Sequence, residues 1–195
     1  GFAHTGSLSI GPQLYKNVGY DPLRDLAPIA RLCNYVNLLV VNVNSPYRTL
    51  ADLLAAAKAT PGAMTYGSAG ISSSNHLSGE LLAMKAGVSM THVPYRGSAL
   101  AMNELLGGGL QFMFDAPNTS TPLLQAGKLR ALGTTGRARH PKFPDLPTIA
   151  ETVPGYEFSG WMGVVAPAGL PRALQTRLTE EVEKALAAPG TGDRL

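Results

Sequence analysis

The chain has 195 residues, 45% of them hydrophobic and 15% charged, which is enough apolar material for a substantial core and excludes a disordered polar segment. Its net charge is only +3, and the one basic cluster, Arg137, Arg139, His140 and Lys142, has no stacking aromatics interleaved with it, so nucleic-acid binding has little support. No apolar run approaches the roughly 18 residues of a membrane span, and direct membrane insertion is not expected. A single cysteine, Cys33, excludes an internal disulfide and a Cys-x-x-Cys metal set, and is read as a small core residue.

In chain order, Leu38-Leu39-Val40-Val41 reads as a strand buried on both faces. Thr49 with Asp52 three residues on forms a capping box, predicting a helix through Leu53, Leu54 and Ala57 that stops at Pro61-Gly62. Met64-Thr65-Tyr66 is the next strand, followed by the loop TYGSAGISSS and a helix from about Asn75 to Lys85, closed by Gly87 as a left-handed cap. Ser89–Val93 is strand-like and Ser98–Leu106 helical, with Gly107-Gly108-Gly109 as the break. Gln111–Phe114 gives a strand, Thr119–Ala126 a helix ending at Gly127, and Leu129–Gly133 a fifth strand. Strands alternating with helices across short connections predict a parallel α/β sheet.

The last third is rich in proline. A short helix at Thr148–Thr152 precedes a long strand, Phe158–Ala166, and Pro171 fits the first turn of a final helix. Leu174, Leu178, Val182 and Leu186 recur every four residues and predict one packed face on that helix.

The loop Gly67-Ser68-Ala69-Gly70 with Ser72, Ser73 and His76 fails three familiar tests. It lacks the Gly-Lys-Ser/Thr of a phosphate loop, the glycine spacing of a dinucleotide fingerprint, and the Gly-x-Ser-x-Gly of a hydrolase elbow. What it offers is glycine turns, hydroxyl donors and the positive end of the next helix, a combination suited to a carboxylate. The alternative is a well-capped connection with no ligand. In a parallel sheet the loops after the strands share one edge, so Pro94–Ser98, with Arg96 and Gly97, and Asp115–Thr119 join the first loop there. The segment His4-Thr5-Gly6-Ser7 has the same small, polar character.

Each side chain has a plainer role as well. Arg96 would face a ligand carboxylate or lie over Tyr95; Asp115 would accept from a ligand or cap the following helix; His76 would donate to a ligand or be structural, and His92 would be packed in its strand; Trp161 would sit in a core or wall a cleft. Ser68, His76 and Asp115 have the types of a catalytic triad, but nothing in their spacing specifies contact. No His, Cys, Asp and Glu cluster has metal-ligand spacing, so no metal, cofactor or catalytic residue is expected. Binding without turnover is the reading.

Six segments then follow in order: GPQLYKNVGYDPLRDLAPIARL, LLVVN, PGAMTYGSAGISSSNHLSGELL, VPYRGSALAMNELLGGGLQFMFD, AGKLRALGTTGRARHPKFPDLPTIAET and PGYEFSGWMGVVAPAGLP. Together they resemble the substrate receptors of the tripartite tricarboxylate transporters, the Bug or TctC-type solute-binding proteins. The resemblance covers essentially the whole chain. It implies a periplasmic protein of type II binding-protein fold, with two α/β domains and hinge strands. The implied function is capture of a small carboxylate (a dicarboxylate, tricarboxylate, amino acid or aromatic acid) for delivery to membrane permease subunits.

It also implies a second domain at 35–157 and a first domain split between 1–34 and 158–195, with Cys33–Val41 and Phe158–Ala166 as hinge strands. The ligand-binding set carried over is Thr5, Ser7, Gly67, Ser68, Ala69, Gly70, Ser72, Ser73, His76, Arg96, Gly97 and Asp115. The family's first strand and Pro-Gly-Gly loop have no counterpart here, so the first domain is expected to be incomplete and the chain truncated. Two rivals stand beside this reading: the effector domain of a LysR-type regulator, and a serine hydrolase using Ser68 and His76.

Overall fold

The computed structural model describes residues 1–191. The elements, in chain order, begin with β1 (Phe2–His4), a π-helical turn at Gly6–Ile10, α1 (Gly11–Leu14), β2 (Leu26–Tyr35) and β3 (Leu38–Asn42). They continue with α2 (Leu50–Ala59), β4 (Thr65–Ser68), α3 (Ser74–Ala86), β5 (Thr91–Pro94) and α4 (Ser98–Leu106). Then come β6 (Phe112–Asp115), α5 (Pro117–Gln125), β7 (Leu129–Thr134), a 3₁₀ turn at Ile149–Glu151, β8 (Gly160–Pro167) and α6 (Arg172–Ala187). The chain divides into two compact units, one of residues 1–35 with the segment from Gly160 onward, the other of Val36–Ser159.

The larger unit is built on a five-stranded sheet of order β5-β4-β6-β3-β7. β4 runs parallel to β5 and β6, whereas β3 runs antiparallel to both β6 and β7. The sheet is therefore mixed, which corrects the expectation of an all-parallel one. Leu38–Val41 is fully buried, the pattern expected of a parallel strand. A central strand is covered on both faces whichever way it points, so burial carries no information on direction.

Two cores lie on opposite faces of this sheet. One joins Leu39, Val41, Tyr66, Phe112 and Phe114 to Leu53 and Ala57 of α2 and Leu82 of α3. The other joins Leu38, Val40 and Met113 to Ala101, Met102 and Leu105 of α4. The local signals hold: the Thr49–Asp52 capping box is formed, and Gly87 caps α3 in the left-handed region at φ 63°. Two glycines mark close approaches. A Cβ at Gly67 would lie 2.4 Å from Leu110 Cδ1, and one at Gly79 would lie 2.2 Å from the Tyr66 ring. The first lets β4 approach the α4 face, and the second seats Tyr66 against α3.

The smaller unit contains an antiparallel sheet of order β1-β8-β2. Pro28 sits in the edge strand β2, where its missing N–H is tolerated, and the ladder shifts register between Pro28 and Ala30. β8 begins at Gly160, two residues later than expected, where the Tyr35 ring lies over a glycine that has no room for a Cβ. Pro171 is the N-cap of α6 rather than part of its first turn.

The predicted packed face of α6 is not found. Leu174 and Leu178 are 49% and 44% exposed, and the helix meets β2 through Gln175 and Thr179, which donate to the Pro28 and Ile29 carbonyls. A four-residue spacing of leucines identifies a face, but not whether anything covers it. Cys33 is half-buried in β2 rather than in a core, and partial burial raises its thiol pKa.

Candidate functional site

Because β4, β5, β6 and β7 share a direction, their carboxyl ends open on one edge of the larger unit's sheet. The loops after β4, β5 and β6 are tied together there. The Tyr95 amide donates to the Ser68 carbonyl at 3.0 Å, and Asn75 Nδ2, buried at the start of α3, donates to the Phe114 carbonyl at 2.6 Å. Asn75 was missed by the sequence reading; it looks like any first-turn residue until the tertiary contact is seen.

The loop after β4 is held by its own polar groups. Ser68 Oγ accepts from the Gly70 amide at 3.0 Å and lies 2.6 Å from His92 Nε2. Ser73 Oγ donates to the Gly70 carbonyl at 2.6 Å and, as N-cap, accepts from the His76 amide at 3.3 Å. Gly70 sits at φ 124°, and Ser72 at φ 68° is the one non-glycine residue of positive φ among the described residues. The Ser72 amide donates to His76 Nδ1 at 3.3 Å. Ser68 is fully buried and Gly67 packs into the α4 face, so neither is presented at the edge.

What remains available is specific. The Ser72 and Ser74 hydroxyls make no hydrogen bond among the described residues, and the Ser74 and Asn75 amides at the first turn of α3 have no intrahelical acceptor. The helix dipole adds roughly half a positive charge at this end. Ala69 is half-buried and Ile71, at the loop tip, is exposed. The sequence treats Ser68, Ser72, Ser73 and Ser74 alike. The structure divides them into two that hold the loop and two whose hydroxyls are unengaged.

The neighbouring loops differ. Arg96 is exposed, with no ion pair or hydrogen bond among the described residues, and Gly97 turns the chain at φ 118° just before α4. Asp115 is 2% exposed, and its Oδ2 accepts from the Thr119 and Ser120 hydroxyls, the latter at 2.7 Å. Burial pushes the Asp115 pKa up, while those two donors pull it down. Its carboxylate thus ties β6 to α5.

Thr5 and Ser7 lie in the smaller unit and are likewise engaged. Thr5 Oγ1 accepts from the Trp161 amide at 2.7 Å, and Ser7 Oγ donates to the His4 carbonyl at 3.0 Å.

The Ser68–His76 catalytic pair is not formed, since the imidazole beside Ser68 belongs to His92. Ser68 is sealed from solvent, and no carboxylate lies within 4.0 Å of His92 among the described residues. A buried hydroxyl whose neighbouring imidazole has no orienting carboxylate is poorly placed for nucleophilic attack. Among the described residues no group of three or more His, Cys, Asp or Glu is placed to hold a metal ion, and no helix is long and apolar enough to cross a membrane.

A mixed α/β unit with polar loops at one sheet edge is the fold of solved periplasmic binding proteins. Likenesses to known proteins agree. The structure of R. palustris Rpa4515 with adipate superposes with a TM-score of 0.93 at 36% identity, covering 100% of this chain and 65% of that one. The periplasmic binding protein BugD gives 0.91 at 32%, covering 99% and 64%. A UPF0065 protein from the tcbD-tcbE intergenic region of Pseudomonas sp. strain P51 is 41% identical over 183 residues, 93% of this chain and 54% of the relative. Residues 3–195 match the tripartite tricarboxylate transporter family receptor, TctC, and the chain belongs to that family. It spans about half the length of the curated relative, at 54%, and just under two thirds of the solved ones, at 65% and 64%.

Proposed function

We propose that this chain is the ligand-gripping part of an extracytoplasmic receptor that captures a small carboxylate and presents it to the permease subunits of a tripartite tricarboxylate-type transporter. The observation that carries the reading is the start of α3. Two amides without acceptors and two unengaged hydroxyls, from Ser72 and Ser74, meet at one edge around a loop held in shape by other residues. Such a cradle suits a carboxylate, whose oxygens accept several hydrogen bonds at once, and no side-chain cation is built into it as a polyphosphate would need. Arg96, one loop away, supplies a long-range positive charge. Adipate, the ligand of the 36% identical relative, is the first dicarboxylate to test.

Family membership supports binding over turnover and a periplasmic setting, and we assign the protein no catalytic role. The two compact units, 1–35 with the segment from Gly160 onward and Val36–Ser159, support a two-domain reading.

A thermal melt against a panel of carboxylates tests the function. Ligand at 100 times its dissociation constant adds about 2.7 kcal/mol of stability. For a protein of this size that is a rise of roughly 5–10 °C. A rise with adipate or another small acid supports the reading; an unchanged melting temperature across the panel at saturating concentrations contradicts it.

A further inference from the structure

Behind the β4 loop lies a cluster of side chains with no part in the cradle. The His76 and His92 rings lie against each other, centroids 4.1 Å apart and planes tilted by 35°, and the Tyr66 ring lies 5.0 Å from His92. The two imidazoles hold the loop at different points. His92 Nε2 meets Ser68 Oγ at 2.6 Å, and Ser68 Oγ in turn accepts from the Gly70 amide. His76 Nδ1 accepts from the amide of Ser72, the residue at φ 68°. A non-glycine residue in that region costs of order 1 kcal/mol and persists only where its surroundings fix it.

We propose that His92 is a positioning residue for the carboxylate site, acting with His76 as a paired clamp that shapes the Ser68–Ser73 loop for ligand only while both rings are uncharged. This rests on the carboxylate reading given above. The chemistry follows from the acceptor at His76 Nδ1. A protonated His76 carries N–H on both nitrogens, so Nδ1–H would then face the Ser72 N–H, two donors with no acceptor between them. A charge on either ring would also sit against the other ring in a partly desolvated place.

The groups facing the pair are few. From α3 comes Glu80, with Oε1 3.9 Å from His76 Nε2; from β4 come Tyr66, whose hydroxyl donates to Glu80 at 2.6 Å, and Ser68. Glu80 draws protons toward the pair, and burial opposes it. The balance lowers the pKa of both histidines, that of His92 to about 4, chiefly through desolvation. At neutral pH the clamp is therefore set.

The test has two arms. In the ligand-free protein, the amide resonances of Gly70 and Ser72 and the imidazole nitrogens are followed from pH 8 to 3.5. The Ser72 amide is expected to titrate with the His76 midpoint and to stop doing so in His76→Phe. In His92→Phe the Gly70 amide is expected to shift, with His92→Gln restoring part of the wild-type position. Static Gly70 and Ser72 amides across the range and the variants would overturn the clamp without reference to any ligand.

In the second arm, adipate binding is measured by calorimetry at pH 7.5 and pH 4.5. His92→Phe is expected to weaken binding roughly tenfold at pH 7.5, the size of one lost preorganising hydrogen bond. Wild-type affinity is expected to fall toward acid more steeply than that of His76→Phe, which carries the ligand's own titration as baseline. Affinity rising toward acid relative to that baseline would overturn the proposal, making the imidazole a direct charge partner. If the wild type binds no carboxylate at pH 7.5, the carboxylate reading falls, while the amide titration still decides the clamp.

Discussion

The loops after β4 and β6 leave the same edge of the same sheet, and each leads into a helix within a few residues. They use their polar groups in opposite ways. After β6 the acid itself is engaged: Asp115 accepts from Thr119 and Ser120 and joins the strand to α5. After β4 the engaged groups are Ser68, Ser73 and the histidine pair, which hold the backbone so that the amides and hydroxyls at Ser72–Asn75 stay available. A polar loop residue does not reveal its role by its type. Whether it touches its own chain or solvent decides that.

The largest expected effect breaks the β4 side from beneath. Gly79→Ala places a Cβ 2.2 Å from the Tyr66 ring, so the ring or α3 must move. The overpacking cost of ~3 kcal/mol outweighs the helix propensity gained, ~1 kcal/mol. The melting temperature should fall by several degrees, and carboxylate binding should suffer with the displaced loop. Calorimetry and a ligand titration check both.

Breaking the β6 side should separate stability from binding. Asp115→Ala leaves the buried Ser120 hydroxyl unmatched, while the exposed Thr119 hydroxyl keeps the Ala116 carbonyl, and should cost about 2 kcal/mol, Asp115→Asn less. Carboxylate affinity should change by less than about threefold in a chain that is still folded. A much larger loss of affinity in Asp115→Asn would return Asp115 to the ligand.

A pH scan sharpens the contrast. A histidine whose folded pKa is depressed contributes stability that is fully present above its unfolded value of 6.5. That stability is lost as pH falls through the folded value, here about 4 for His92. Stability should therefore decline between about pH 6.5 and 4, and decline less in His92→Phe. Denaturant melts across that window measure it.

The smallest effect on folding is expected at the cradle. Ser72→Ala and Ser74→Ala remove hydroxyls that make no internal hydrogen bond, so stability should stay within about 0.5 kcal/mol. Binding of a carboxylate should weaken roughly three- to tenfold. Unchanged binding in both would leave the backbone amides as the whole grip.

Much of the fold was legible because its signals are local. The Thr49–Asp52 box, the Gly87 cap and the helix at Ser98–Leu106 appear where the residues place them. What the sequence could not carry was pairing. The direction of β3, the exposure of Leu174 and Leu178, and the approach of His92 to Ser68 depend on neighbours 24 or more residues away in the last case and on strand order in the first. The candidate site was legible as a place, the Gly67–His76 loop, but not as a division of labour. Four serines in seven residues look equivalent until their hydrogen bonds are known.

The central claim is that the start of α3 grips a carboxylate. Its most direct test is a titration of the ¹⁵N-labelled protein with adipate, following every assigned amide. The account predicts that the largest saturating shifts fall on Ser72, Ser74 and Asn75, with Ala69 and Ile71 next and the interior of α5 unmoved. Saturable binding that shifts the α5 amides and leaves Ser72–Asn75 in place would contradict it.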